Sequence, residues 1–460
     1  MEFTNLLKGQ DTQKSLNLVL SELKTNYKPE FLLLFLDKLQ DTCILLFKNK
    51  LVREIVYEIL KKENSQKLLS RGNNLQENRN FTTISTRISR IILDLHEFCL
   101  VPLENEDEIQ LNFEIFEILI KNTNYSQFRQ GSLLLSSIIT LVYSILKNDT
   151  ITECVRGAMK ILVVLLDKKI DQVLLDLVIL KEIILKFSQK EKYSVLNGFI
   201  RNSNNNLKEI WEIIQDSQMF SSFHKENLTV LLEFSKSLKE NTQQEFREAW
   251  WLKIIGWLLP LVNEAEDVRC AGLDVLSQIQ ESVLLKIPPK LVFALQSVGI
   301  GMLYDVDYNT RAAACGFLGV LITFDSVQRD VLFFSDLIGK IPRITMQDEA
   351  LVVKVRGSWA LANICAAFVE IREKNLQEFS IPDGYLRKCV EAALFISKDK
   401  EKVYYLFSKK CRSNGVRALG NIFQVLPKEW VQSEVEGLVK EIIQVLIKSI
   451  NTGPVKVTII

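Results

Sequence analysis

Apolar residues recur at helical spacing along most of this chain, and polar stretches separate the runs. FLLLFLDKLQDTCILLF (Phe31–Phe47) and LVREIVYEIL (Leu51–Leu60) predict two or three helices within the first sixty residues. Residues 61–80, KKENSQKLLSRGNNLQENRN, then predict an exposed polar loop. Helical patterning resumes through Ile88–Val101, Asn112–Asn122, Gly131–Leu146 and Glu153–Leu166. Gly131–Leu146 is free of charge over 16 residues, whereas a membrane span needs about 20 apolar residues. It also carries Ser132, Ser136, Ser137, Thr140 and Ser144, so a helix buried between neighbours is the better reading. RNSNNN (Arg201–Asn206) marks a loop, and Pro260 a kink or terminus in Phe246–Val262. Asp267, Asp307 and Asn309 fall where helix caps belong. The chain is predicted to be all-α.

One helix pattern repeats. Counting from a basic residue at position zero, Arg269, Arg311, Lys354 and Arg412 start four related segments. Position three is Gly272, Ala314, Gly357 or Gly415; position seven is Leu276, Leu318, Leu361 or Leu419. Position eight is again small: Ser277, Gly319, Ala362, Gly420. Offsets of three, seven and eight share one helix face. Small residues there admit a neighbouring helix, and the leucine fills the space between. ECVRGAMKILVVLL (Glu153–Leu166) is a weaker fifth copy with Arg156 in the basic place, spoiled by Met159 at position three. The four starts lie 42, 43 and 58 residues apart. Units of about 40–47 residues are those of HEAT and armadillo repeats, and the long third interval implies an insertion. The expectation is a right-handed α-α superhelix of HEAT/armadillo-like repeats. Residues 1–245 would form degenerate N-terminal helical repeats, and residues 246–460 regular ones, truncated at the C-terminus.

Composition narrows the function more than it identifies it. Across 460 residues, 57 basic and 56 acidic side chains nearly cancel, which argues against broad nucleic-acid or membrane-surface binding. The eight cysteines are scattered without metal-ligand spacing and predict reduced core thiols in an intracellular protein, cytoplasmic or nuclear. No signal peptide is read in MEFTNLLKGQ. Of the two histidines, His96 lacks a second zinc ligand four residues on, where Leu100 stands, and His224 lies in a polar turn. GIGMLY (Gly299–Tyr304) is not a phosphate loop, and no nucleophile elbow or kinase signature occurs. No catalytic residue, metal site or cofactor is therefore expected.

Two stretches could bind a partner. Between residues 398 and 417 seven basic residues face Asp399 and Glu401, a basic patch that could meet RNA or an acidic protein. Trp359 and Asn363 stand four apart on one helical face; Arg417 with Asn421, and Asp274 with Gln278, take the same places in other copies. The Trp-x-x-x-Asn pairing resembles the ladder with which armadillo proteins of the importin alpha type hold an extended peptide, the amide bonding peptide backbone and the ring walling a pocket. The other reading makes Trp359 core packing and Asn363 a brace between repeats.

From Trp250 onward the chain resembles the family of HEAT repeat-containing protein 6, large eukaryotic solenoid proteins. The resemblance rests on DYNTRAAACGFLG (Asp307–Gly319), VKVRGSWALANI (Val353–Ile364), SKDKEKV (Ser397–Val403) and RSNGVRALGNIF (Arg412–Phe423). It implies a non-enzymatic protein. Two departures stand out: YYLFSKKC (Tyr404–Cys411) intervenes where the family runs almost directly on, and PVKVTII (Pro454–Ile460) stands where the family opens another helix. Both have the form of intron read-through. The function expected is a monomeric protein–protein scaffold binding along a concave face, without a membrane span. The alternative is an adaptor in a nucleoprotein assembly acting through the 398–417 patch.

Overall fold

The structure is a computed structural model that describes residues 152–167, 177–186, 189–203, 206–217, 219–238, 243–374, 382–398, 405–427, 430 and 436–452, with single positions or short pieces between 54 and 146. The described residues are helical and joined by turns, with no strand among them. The chain divides into two compact units, Met1–Gln218 and Met219–Ile460. That division falls upstream of residue 246, the boundary expected from the sequence. The polar loop expected at 61–80, the helices of the first fifty residues and His96 lie outside the described residues.

In the first unit, α1 (Thr152–Asp167) packs on α3 (Gln189–Asn202), and α2 (Leu177–Lys186) on α4 (Leu207–Asp216). Helix α4 shows why: Leu207, Ile210, Trp211 and Ile214 form one buried stripe, and the polar residues take the other face. The RNSNNN segment is shorter as a loop than expected, because Arg201 and Asn202 close α3. Asn202 Nδ2 donates to its own turn at Gly198 O and across to Leu166 O in α1, both at 2.8 Å. In the uncharged run, Ile138, Ile139, Val142 and Leu146 are buried, as a helix set among neighbours requires.

The second unit opens with α5 (Lys225–Ser237) and α6 (Gln244–Leu258). Trp250 stacks on Phe234 at 5.2 Å and meets Trp251 edge-on at 5.0 Å. Pro260 then ends α6 in a 3-10 turn, Leu259–Asn263. There follow α7 (Glu266–Leu276), α8 (Glu281–Leu284), α9 (Pro289–Met302), α10 (Tyr308–Leu321), α11 (Asp325–Arg329), α12 (Val331–Gln347), α13 (Leu351–Glu373), α14 (Asp383–Lys398), α15 (Tyr405–Val425) and α16 (Glu436–Thr452).

The four motif copies fall on α7, α10, α13 and α15. Each of these helices packs on the next in chain order, with α5 ahead of α7. Between them in sequence run α9, α12 and α14, which pack on α10, α13 and α15 respectively; α12 also packs on α14. Leu276, Leu318, Leu361 and Leu419 are 2% exposed or less, so the sequence register is the structural one. Position three faces the partner helix of the same pair: a Cβ on Gly357 would lie 2.5 Å from Thr345 Oγ1 in α12. A Cβ on Gly415 would likewise stand 2.5 Å from Ser397 Oγ in α14. Position eight serves the next motif helix, since a Cβ on Gly319 would sit 2.6 Å from the Trp359 ring.

Two local expectations need correction. Asp307 caps α10, its carboxylate accepting from Thr310 N at 2.7 Å. Asp267 and Asn309 instead lie within the first turns of α7 and α10, and Ala265 takes the cap position ahead of α7. The segment expected to be an insertion forms, from Tyr405 on, the start of α15. That helix begins seven residues before its basic residue, where the other three motif helices begin three before theirs.

Helix α13 is, among the described residues, the one helix long and apolar enough to cross a membrane. Of its most apolar stretch 61% is buried, because α10, α12 and α15 pack around it. A helix enclosed on several sides has no reason to be amphipathic, and this one is apolar nearly all round.

Candidate functional site

The basic residue at position zero turns out to be a clamp. Arg269 Nε and Nη2 grip the two oxygens of Asp305 at 2.9 and 2.8 Å, and Arg311 grips Asp348 in the same way at 2.7 and 3.0 Å. Both aspartates stand just ahead of the next motif helix. Each is fixed there by a backbone N–H two residues on, Asp307 N to Asp305 and Ala350 N to Asp348. The remaining guanidinium nitrogen turns back to the arginine's own loop: Arg269 Nη1 donates to Glu264 O, and Arg311 Nη1 to Asp305 O and Val306 O. Asp305 therefore binds Arg269 with its side chain and Arg311 with its carbonyl. The carboxylates are nearly buried, Asp305 at 9% and Asp348 at 6% side-chain exposure, so these are water-poor bidentate pairs. The guanidinium of each arginine is held more firmly protonated than usual by its bond to the aspartate.

A second set of bonds joins neighbouring motif helices along their length. Asn363 is buried; its Nδ2 donates to Gly319 O at 2.9 Å, and its Oδ1 accepts from Arg417 Nη2 at 3.0 Å. Arg417 Nη2 also reaches Trp359 O at 3.4 Å. Asn421 Nδ2 repeats the bond one helix on, to Ala362 O at 3.5 Å, and Asn414 Nδ2 donates to Ser358 Oγ at 3.0 Å. In the bonds of Asn363 and Asn421 the acceptor is the carbonyl of the small residue at position eight, Gly319 or Ala362.

The structure thus brings Trp359, Asn363, Arg417 and Asn421 together. It uses the Asn363 amide inside the protein, where the peptide-ladder reading needs it free toward a groove. Trp359 is half-buried with its ring edge over Gly319, which is packing between neighbouring motif helices. Asp274 on α7 and Gln278 in the turn after it lie apart from this group, Gln278 Nε2 donating to the adjacent Ser277 Oγ at 3.4 Å.

Asp274 feels the charge of a residue outside the positions the copies share. Burial raises its carboxyl above the ordinary range, and the charges of Arg356 and Lys236 pull it back. Arg356 is exposed on α13, and its Nη1 passes 3.8 Å from where a Gly316 Cβ would stand on the intervening α10. A half-buried carboxylate on α7 and an exposed guanidinium on α13 thus flank α10, whose Gly316 is buried. Such a pair can receive a donor and an acceptor from one extended segment.

Other candidate chemistry is taken up by packing. Burial pushes the Cys270 thiol up to about 11 and the Cys315 thiol up to about 12, far from thiolate nucleophiles. Cys365 is raised too, by burial and by its bond to Cys389 across α13 and α14. Among the described residues no three His, Cys, Asp or Glu converge as a metal site would require. In the 398–417 stretch, Lys398 is paired with Glu441 and Arg417 with Asn363, so two of its cations already have partners. Lys400 and Lys402 lie outside the described residues. His224 N donates to Asn227 Oδ1 at the start of α5, an edge role in a turn.

No protein-family profile matches the chain. A putative uncharacterized protein of Dictyostelium discoideum is 30% identical over 229 residues, 48% of this chain and 13% of that protein. The chain thus spans a small part of that relative. Among solved structures, one engineered protein aligns over 95% of this chain and 99% of its own at 13% identity, with a TM-score of 0.42. A second covers 58% of this chain and 94% of its own at 14% identity, with a TM-score of 0.28.

Proposed function

We propose that this chain is a non-enzymatic protein-binding scaffold, a right-handed superhelix of HEAT/armadillo-like helix pairs that holds its partner along the face made by α7, α10, α13 and α15. The observation that carries the reading is the uninterrupted succession of motif helices, each bonded to the next. Repeat units of this kind gain stability from nearest neighbours and create extended surfaces. A surface built in that way is rigid, which lowers the ordering cost of capturing an extended segment. Asp274 on α7 and Arg356 on α13, flanking α10, are the groups we assign to the partner. The peptide backbone supplies the donor for the one and the acceptor for the other. An intracellular setting, cytoplasmic or nuclear, goes with the scattered thiols of the sequence.

Crosslinking with mass spectrometry on the full chain, isolated with its bound protein, tests this. Partner crosslinks should concentrate near Lys236 and Lys354, and an Asp274→Asn, Arg356→Gln double variant should retain its fold while losing the partner at least tenfold. Crosslinks confined to α9, α12 and α14, or undiminished capture by that variant, would defeat the reading. Capture that falls steeply with salt and survives the double variant would point instead to the basic stretch.

A further inference from the structure

The loops that lead into α7, α10 and α13 stand side by side along one edge of the second unit. Arg269 of α7 reaches Asp305 in the second loop, and Arg311 of α10 reaches Asp348 in the third. Thr310 Oγ1 donates back to Glu266 O at 3.3 Å. Counted from the basic residue at position zero, the three loops are in register. Five places ahead of it stand Glu264, Val306 and Glu349; three places ahead stand Glu266, Tyr308 and Leu351. All of these except Leu351 are exposed.

The middle loop presents apolar groups to water. Tyr304, Val306 and Tyr308 are 62%, 92% and 51% exposed, while Asp305 and Asp307 between them turn inward. The inward bonds hold the outward residues in place. Arg269 grips the Asp305 carboxylate, Arg311 Nη1 donates to the carbonyls of Asp305 and Val306 at 2.9 and 3.1 Å, and Asp307 caps α10. Val306 is thus kept in the open by a loop that cannot easily fold it away.

The flanking loops are acidic. Residues 263–267, 304–309 and 347–350 contain seven carboxylates and no Lys, Arg or His. Arg269 and Arg311 take two of them, which leaves five, or four against Lys354 behind the third loop. Glu264 and Glu349, on either side of Val306 in the register, are exposed and have no paired cation among the described residues.

We infer that this edge docks a basic, extended segment of another protein, which seats an apolar side chain on Val306 between two cations that meet Glu264 and Glu349. Charge complementarity selects that occupant: an acidic row with an apolar centre repels acidic segments and steers basic ones. The exposed rings of Tyr304 and Tyr308 attract the same cations. Neighbouring helices lie about 8–10 Å apart, and an extended chain rises about 3.3 Å per residue. The cations therefore stand about three residues to either side of the apolar residue. Because the loop is already fixed, docking costs little ordering on this side. The inference uses neither Asp274 nor Arg356 and stands apart from the motif-face binding proposed above.

The probe is a phage-displayed library of random dodecapeptides, selected on the full chain and counter-selected on a Tyr304→Ser, Val306→Ser, Tyr308→Ser chain. Enriched peptides should carry Arg or Lys on both sides of an apolar residue. A selected peptide, labelled with fluorescein and followed by anisotropy, should bind at least tenfold more weakly to the Val306→Ser chain and to the Glu264→Gln, Glu349→Gln chain. Its binding to the parent should weaken as salt is raised. The Val306→Ser chain should melt with the parent, its side chain being almost wholly in water. An Asp274→Asn, Arg356→Gln chain should bind the peptide as the parent does, which separates this edge from the motif face. No enrichment, enrichment of neutral or acidic peptides, or binding indifferent to Val306, to the two glutamates or to salt would each overturn the assignment.

Discussion

Arg311 and Asp348 close a two-bond clamp, at 2.7 and 3.0 Å, between one motif helix and the loop that starts the next. The pair is largely out of water, so removing one member strands the other. Arg311→Ala should destabilise the α10–α13 region by about 3–5 kcal/mol, read as lost amide protection in hydrogen exchange. An Arg311→Met, Asp348→Leu double variant should recover most of that loss, since it leaves no uncompensated charge.

Asn363→Ala should also lower stability, by about 1–3 kcal/mol, because Gly319 O and the Arg417 guanidinium lose their partner together. Asn421→Ala should cost less, its bond being the longer one at 3.5 Å. Urea unfolding of the two variants, followed by circular dichroism, ranks them. Equal, negligible losses would contradict the bracing role of Asn363.

Gly319→Val should drive a side chain into the Trp359 ring and cost about 1–3 kcal/mol. A Gly319→Val, Trp359→Leu pair should be more stable than Gly319→Val alone. A shift in tryptophan emission in the single variant reports that the ring has moved.

Acid should weaken the start of α10. Burial raises the Asp307 carboxyl, but the bonds it accepts from Thr310 and Asn309 outweigh that and leave it below the ordinary aspartate range. A group lowered on folding stabilises the folded chain above its unfolded value, about pH 3.9, and that contribution fades as pH falls through the lower folded value. Asp307→Ala should cost about 1 kcal/mol at neutral pH. The difference in melting temperature from the parent should shrink on acidification toward pH 2–3.

Leu318→Ala and Leu361→Ala should each cost about 2–5 kcal/mol, both side chains being fully enclosed. Protection should be lost first in the helices touching the altered one and only later elsewhere in the unit.

The helices and their buried face were legible because packing imposes a period on sequence: leucine at seven and small residues at three and eight are what close helix contacts demand. The clamps were legible only in half. Arg269 and Arg311 marked position zero, but their aspartates lie 36 and 37 residues away in loops, where no period points to them. A search for a carboxylate recurring just ahead of each motif helix would have found both. Asn363 stood out by its place four residues after Trp359, yet sequence spacing fixes a helical face and cannot say whether an amide turns outward or to the neighbouring Gly319 carbonyl. Arg356 escaped notice because it lies outside the shared positions; its meaning depends on the missing side chain at Gly316, one helix away.

The double use of Asp305 has an evolutionary consequence. Its carboxylate answers Arg269 and its carbonyl answers Arg311, so an added or deleted residue between 303 and 307 would break two joints at once. A change of length there should therefore be tolerated less well than in a loop without such a joint. The starts are 42 and 43 residues apart across the two clamped intervals, and 58 apart across the one headed by Lys354, a residue that cannot fork onto a carboxylate. Tyr404 to Cys411 lie within that longest interval, whose first residue cannot form such a clamp.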